Sequence, residues 1–428
     1  MATSKKTLLP IFFVIFMDNF GFGVIFNMLP IVFIDPHFHL ISLHASAMLR
    51  NILLAITFGV FPLTQLIGAP LIGDFADHFG RKKALNVTIL TVTLGYVLSA
   101  MAVSINSLVL LIVSRLFTGF FAGNLSICLA AIADFSLDEK SRGRNFSHVT
   151  TLFGFSWIIA MVVSGYVSNP KYLGTHGPTV VFLLTALCSF LSYFAVRFWF
   201  NESFATQQVV KFDLMKGFKN LREAFFKKRI RSVFLTYFFW VVGWAMAMQW
   251  YAAYSMEVYL VSAISTTTWM TVMGITWTLG SSVLNNLLLN RWHSVSIAVF
   301  GSIVTTICLY LEVFISWFEL FSFVLALAAI FSAFTMCNTL NLTSLAASSD
   351  IQGKVMGLSQ SIMSFGWIFS SILGLILVQL NMYYLYWAAA IFLSIATLLL
   401  FWMYFSHKVH HVSEEPVKES DFIDHQKQ

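Results

Sequence analysis

Charge is scarce in this chain: of 428 residues, only 10% are Asp, Glu, Lys or Arg. A soluble domain carries about 25%, so a surface this poor in charge excludes a protein that faces water over most of its area. Cysteine is also scarce. Cys128, Cys188, Cys308 and Cys337 each sit inside an apolar run, and none is paired at metal-ligand spacing, which argues against a disulfide framework and a zinc site. No Gly-x-x-x-x-Gly-Lys-Ser/Thr stretch occurs, so no phosphate cradle for ATP is expected, and no cofactor or metal. Paired carboxylates and nucleophile–base pairs are missing from the apolar runs, so an enzyme is not expected either. The excess of base, a formal +6, lies in segments that flank those runs. It points to membrane-flanking loops and not to nucleic acid.

What is abundant is apolar bulk. Hydrophobic residues make up 58% of the chain and the mean hydropathy is +0.80. With lipid as the main solvent, every backbone N–H and C=O must be paired internally, which leaves helices or a closed barrel. A barrel needs short segments of alternating polarity. This chain has long, nearly uncharged runs instead, so an all-α membrane protein is predicted. Twelve spans are expected, at 8–34, 49–72, 84–104, 108–133, 146–167, 180–200, 233–256, 266–289, 295–315, 320–346, 355–380 and 383–405. Each can cross about 30 Å of hydrocarbon at about 1.5 Å per residue. The first run is too long for the core of a cleaved leader and has no small-residue cleavage site behind it, so it reads as the first span.

The distribution of positive charge tests this count. With both termini in the cytoplasm, all but three of the 25 basic residues fall in inner segments; the exceptions are Arg50, Lys171 and Arg115. So lopsided a split implies an inner (plasma) membrane protein with both ends inside. The polar, basic stretch 201–232 separates six spans from six and reads as a cytoplasmic linker that lies on anionic headgroups. The expected division is a six-helix bundle at 1–200, the linker at 201–232, a second six-helix bundle at 233–406 and a disordered tail at 407–428. The halves echo each other: Asp134 closes the fourth span before a charged stretch, and Asp350 closes the tenth before Gly353 and Lys354. Two such bundles imply a pseudo-twofold axis along the membrane normal and a solute cavity between them.

The segment after the second span reads Gly73-Asp74-Phe75-Ala76-Asp77-His78-Phe79-Gly80-Arg81-Lys82-Lys83. It resembles the cytoplasmic loop signature of the major facilitator superfamily, Gly-x-x-x-Asp-Arg-x-Gly-Arg-Arg/Lys. Three more segments are similar to the superfamily's drug/proton antiporter branch, near the tetracycline-efflux type. These are Asp18, Gly21, Gly23 and Pro30 in the first span, Arg115, Gly119 and Gly123 with Asp134 in the fourth, and Gln352, Gly353 and Gly357 at the eleventh. Two positions depart from the pattern. His78 stands where the signature has its first Arg, and Ala160-Met161 stand where that branch carries a Gly-Pro pair in the fifth span. The resemblance implies the major facilitator fold, alternating access and a proton-coupled solute carrier.

In that fold the loop signature works as a cytoplasmic gate built from Gly73, Asp77, Gly80, Arg81, Lys82, Asp134 and Gly353. Asp77 would face the start of the eleventh helix, where a carboxylate is favoured by roughly 0.3–1 kcal/mol. Arg81 would pair with Asp134, while Gly73 and Gly80 would allow close approach and a tight turn. Asp18 lies about 15 Å from the inner edge and Arg115 about 10 Å from the outer edge of a core about 30 Å thick. Ionisable side chains at that depth are paired or functional, so Asp18 and Arg115 are expected to couple transport to protons. A static ion pair is the alternative.

The second half offers uncharged polar groups and aromatics for an amphipathic solute. Gln249, Trp250, Trp277, Asn338 and Asn341 are the expected cavity residues; for the two asparagines, interhelical hydrogen bonding is the alternative. His37, His39 and His44 share one outer loop without firm ligand spacing and read as solvated, not as a metal site. The expected partners are a small-molecule substrate, protons and the lipid bilayer around a monomer, with no nucleic acid. Export is favoured over import of a nutrient, amino-acid-like molecule or siderophore. A sensor that kept the fold but lost transport would need a folded output region, and the linker and tail are too short for one.

Overall fold

The computed structural model describes residues 2–42, 44–135, 139–202, 215, 218–219, 222, 225, 231–345 and 352–405. Most of the linker expected at 201–232, and all of the tail expected at 407–428, lie outside them. The described residues are mostly helical, as the long apolar runs require. In chain order the helices are α1 (Ala2–Ile34), α2 (Ala47–Phe79), α3 (Arg81–Ser104), α4 (Leu108–Phe121), α5 (Asn124–Phe135), α6 (Glu139–Val167), α7 (Pro170–Leu173) and α8 (Gly177–Trp199). They continue with α9 (Arg231–Val258), α10 (Ala263–Leu279), α11 (Asn285–Leu289), α12 (Ser294–Glu312), α13 (Phe318–Leu345), α14 (Gln352–Leu380) and α15 (Tyr384–Phe405). Among the described residues, twelve spans are long and apolar enough to cross a membrane. The side on which α1 begins is called the terminal face below, and the opposite side the distal face.

Many hydroxyls and helix ends are satisfied locally, as a lipid solvent favours. At the distal turns Ser46, Ser107 and Ser262 cap α2, α4 and α10 by accepting from the N–H three residues on. Within the spans, hydroxyls bond back to their own helix: Thr57 donates to the Leu53 carbonyl at 2.7 Å and Thr118 to that of Ser114 at 2.7 Å.

Two stretches differ from the sequence reading. The signature segment is not a loop. The second helix runs on through Phe79, so Gly73–Phe79 is helical, and Gly80 alone turns the chain into α3. Gly80 has φ +91°, a region closed to most side chains. The fourth span is not one helix either: it stops at Phe121 and restarts at Asn124. The eighth span carries a wide turn of π-type at Gly280–Leu284 between α10 and α11, the kind of irregularity that concentrates at functional sites.

The halves meet most extensively where α2 packs on α14 and α6 on α10, with further contacts of α1 with α9 and α5 with α14. The seventh span is the most enclosed: 83% of its apolar window is buried, against 28–61% for the others. Spans two and four cross where their backbones nearly touch. A Cβ on Gly68 would run into the Phe120 carbonyl, and one on Gly119 into that of Phe61.

Glu312 ends α12 fully buried, and among the described residues neither carboxyl oxygen has a hydrogen-bond partner. A carboxylate at a helix C-terminus also opposes the helix dipole. Glu312→Met is therefore expected to raise stability by roughly 1–3 kcal/mol, the cost of an unsatisfied buried polar group. Thermal unfolding of the purified protein in detergent measures this, and a lower midpoint would show that the carboxyl is bonded after all.

Candidate functional site

At mid-depth, the break in the fourth span meets the acid of the first. Asn124 opens α5 and is buried; its Nδ2 donates to Asp18 Oδ1 at 3.0 Å. Its Oδ1 accepts a short hydrogen bond from the Thr88 hydroxyl of α3. The carboxylate thus faces the N-terminal end of α5, where free N–H groups favour an anion. The break itself leaves the Ala122 carbonyl without its helical donor. Gln65 of α2 supplies one at 2.9 Å, and Gln65 Oε1 in turn accepts from Ser364 of α14 at 3.1 Å. That chain ties the broken span to the second half of the molecule.

Arg115 sits one layer nearer the distal face and is buried. Its guanidinium carbon lies 4.5 Å from the centre of the Phe61 ring, a cation–π contact, and it lies beside Tyr96 of α3. The Tyr96 hydroxyl packs on Gly21, one turn beyond Asp18. Arg115 Nε and Nη1 have no acceptor among the described residues. Asp18 and Arg115 therefore lie in neighbouring layers of the first half but form no ion pair: the acid is held by an amide, and the base lies over a ring and beside a phenol.

Just distal to Asp18, aromatic rings from both halves close together. Phe22 and Phe26 of α1 lie 5.3 and 5.1 Å from Trp367 of α14, and Phe58 of α2 lies 6.3 Å from Trp250 of α9. Polar bridges follow farther out. Asn27 donates to Thr267 of α10 at 2.8 Å, and Asn51 to Glu257 of α9 at 3.1 Å. Beyond them a cleft of about 640 Å³ opens on the distal face between Asp35, His37 and Lys171 of the first half and Met256 and Leu260 of the second. The Asp35 carboxylate pairs with His37 at 2.7 Å; among the described residues no three His, Cys, Asp or Glu side chains gather to hold a metal.

The second-half residues expected at a solute cavity are dispersed. Gln249 is buried with both ends of its amide engaged across to α14, donating to Ser371 at 2.8 Å and accepting from Ser370 at 3.3 Å. Trp250 is fully buried with its indole against Gly374. Asn338 and Asn341 are corrected in depth. Asn338 lies twenty residues along α13, about 30 Å from its distal start, and donates to Asn285 at 2.7 Å. Asn341 is exposed and donates to Ser294 at 3.0 Å. Both join neighbouring helices near the terminal face because the long tenth helix carries them past mid-depth. Trp277 does stay at mid-depth, half-buried and stacked on Trp244 at 5.4 Å, with Trp240 beyond at 6.3 Å.

Of the gate residues, the side chains of Asp77 and Asp134 and the surroundings of Gly353 lie outside the described residues. Gly73 is not a close-approach position, since a Cβ there would meet nothing within 4 Å. Arg81 is buried. Its backbone N–H and that of Lys82 donate to the Glu202 carboxylate at 2.9 and 3.0 Å, so Glu202 caps the positive end of α3. The sequence reading missed Glu202, Asn124, Tyr96 and Gln65. Only Asn124 leaves a local signal, an amide directly after Gly123 inside an apolar run.

The chain is similar to the class B tetracycline resistance protein of Escherichia coli, 27% identical over 187 residues that make up 44% of this chain and 42% of that one. It is also similar to the class H tetracycline resistance protein of Pasteurella multocida, 25% identical over 236 residues, 55% of this chain and 54% of that one. The chain thus spans about half the length of the curated relatives it matches. In fold it resembles the human organic anion transporter MFSD10 (TETRAN), with a TM-score of 0.72 at 15% identity over 93% of this chain and 99% of the other. The profile of the Major Facilitator Superfamily matches residues 11–347 and 288–425. With twelve helical spans and a profile match along nearly its whole length, the chain belongs to the Major Facilitator Superfamily of membrane transporters.

Proposed function

We propose that this protein exports a small amphipathic organic compound, of the tetracycline type or similar in polarity, in exchange for protons. The observation that carries the reading is the mid-depth carboxylate Asp18, held by a single amide at a broken helix. With no cation paired to it among the described residues, Asp18 exchanges a proton with a change of one hydrogen bond. Arg115 offers Nε and Nη1 to a solute oxygen or to water. Trp244 and Trp277 supply an apolar wall at the same depth in the other half. Residues 1–200 and 233–406 rock as two units in the inner membrane, with 201–232 joining them and both termini cytoplasmic, in line with the basic residues. The tetracycline resistance relatives support export. The fifth span supports a second reading, proton-coupled uptake, because α6 runs unbroken through Ala160 and Met161.

Everted membrane vesicles acidified inside test this. A substrate of an exporter is taken up by the vesicles and dissipates the pH gradient, read with an acridine dye. Failure of a panel of tetracyclines and other amphipathic drugs to move either signal would remove the export reading, and loss of preloaded solute from the vesicles would replace it with uptake.

Alternating access has its own test at the distal bridge. With the four native cysteines replaced, Asn51→Cys and Glu257→Cys joined by a short reducible cross-linker should stop transport, and reduction should restore it. Full transport by the cross-linked protein would show that the distal side need not open.

A further inference from the structure

On the terminal face, away from the crevice, α3 and α8 enclose a cavity of about 380 Å³ lined by Lys82, Lys83, Asn86, Tyr193, Arg197 and Glu202. Among the described residues no carboxylate forms an ion pair with Lys82, Lys83 or Arg197. Lys83 lies over the Phe79 ring at 4.8 Å. The one acid among the described residues lining the cavity is Glu202, whose two oxygens accept from the backbone N–H groups of Arg81 and Lys82. Three cations are therefore left for an anion from outside. Asn86 adds an acceptor, its Oδ1, which is buried and has no donor among the described residues.

The walls say what carries that anion. Directly beyond the cations, Val87, Leu90 and Leu94 of α3 are exposed, as are Phe190 and Phe194 of α8. Trp199 is 68% exposed at the end of α8, a residue type that marks the headgroup level. A groove with cations at its head and an exposed apolar floor along two spans matches one molecule with a phosphate and acyl chains. We propose that this cavity is a binding site for an anionic glycerophospholipid. Lys82, Lys83 and Arg197 hold its phosphate, and Asn86 Oδ1 accepts from a headgroup hydroxyl. The site rests on the spans alone and not on the transport reading.

Native mass spectrometry of the purified protein, titrated with phosphatidylglycerol, phosphatidylcholine or inorganic phosphate, is the test. Phosphatidylglycerol should bind at least tenfold more tightly than phosphatidylcholine, and inorganic phosphate should not displace it at equal concentration. The triple variant Lys82→Gln, Lys83→Gln, Arg197→Gln should bind it about a hundredfold more weakly, with each basic side chain at the surface supplying roughly fivefold. Lys82→Arg, Lys83→Arg, Arg197→Lys should bind normally. Should the triple variant not fold, Arg197→Gln alone, on an exposed side chain, should cost about fivefold. Equal binding of the two lipids, displacement by inorganic phosphate, or full binding by the neutral variants would overturn the proposal.

Discussion

Asp18→Asn is expected to uncouple solute movement from the proton gradient while leaving the fold intact. Asparagine keeps an oxygen for the Asn124 Nδ2 that now donates at 3.0 Å, so the layer joining α1, α3 and α5 persists. What is lost is the group we propose binds and releases a proton. With one proton per cycle, a gradient of one pH unit is worth about 1.4 kcal/mol, or about tenfold in solute ratio. Reconstituted wild-type protein should therefore concentrate its substrate about tenfold per pH unit, and Asp18→Asn should let the ratio settle at one. Exchange of labelled for unlabelled substrate should continue in the variant, because exchange needs no net proton movement. A variant that still accumulates substrate against its gradient when the pH difference is imposed would place the coupling proton elsewhere. Arg115 separates this from a structural ion pair: were Asp18 a pairing partner, Arg115→Ala would strand a buried charge, whereas here Arg115 rests on Phe61 and Tyr96.

Gly68→Ala and Gly119→Val are each expected to destabilise the protein strongly. A Cβ on Gly68 would collide with the Phe120 carbonyl oxygen and stand 2.7 and 2.9 Å from the carbonyl carbon and Cα of the same residue. On Gly119 it would meet the Phe61 carbonyl and stand 2.9 Å from the Phe61 Cα. The obstacle is backbone in both cases, so no rotamer relieves it and the helices must part. Overpacking costs about 1–3 kcal/mol and occasionally more; here each substitution should cost about 3 kcal/mol. Arg115, Phe61 and Gln65 lie on these helices, so the crevice wall moves with them. The unfolding midpoint in detergent and the yield of monodisperse protein measure the effect. Gly73→Ala, with nothing within 4 Å of the new carbon, is the matched control and should leave both unchanged.

Some of this was legible in residue order alone. Twelve spans follow from run length, because a helix needs about twenty apolar residues to cross the bilayer. That test reads one stretch at a time. Asp18 and Arg115 stand out for the same reason, as charge inside an apolar run. Segment breaks were less legible. The amide after Gly123 is a weak local signal, and the break itself also draws on Gln65, fifty-seven residues away, which donates to the freed carbonyl. Gly73 and Gly80 look alike in the signature, yet one lies inside a helix and the other makes the turn.

Residue order by itself determined that this chain lives in lipid, crosses it twelve times and carries an acid and a base at depth. Those properties are sums over contiguous residues, and the solvent enforces them segment by segment. The tertiary structure alone decided that the acid and base are held apart by Asn124, Tyr96 and Phe61. It also turned Asn338 and Asn341 into ties between helices and gathered Lys82, Lys83 and Arg197 around one cavity. Partners in a hydrogen bond or a shared cleft are chosen by helix packing, and packing depends on which distant faces fit, something no single segment records.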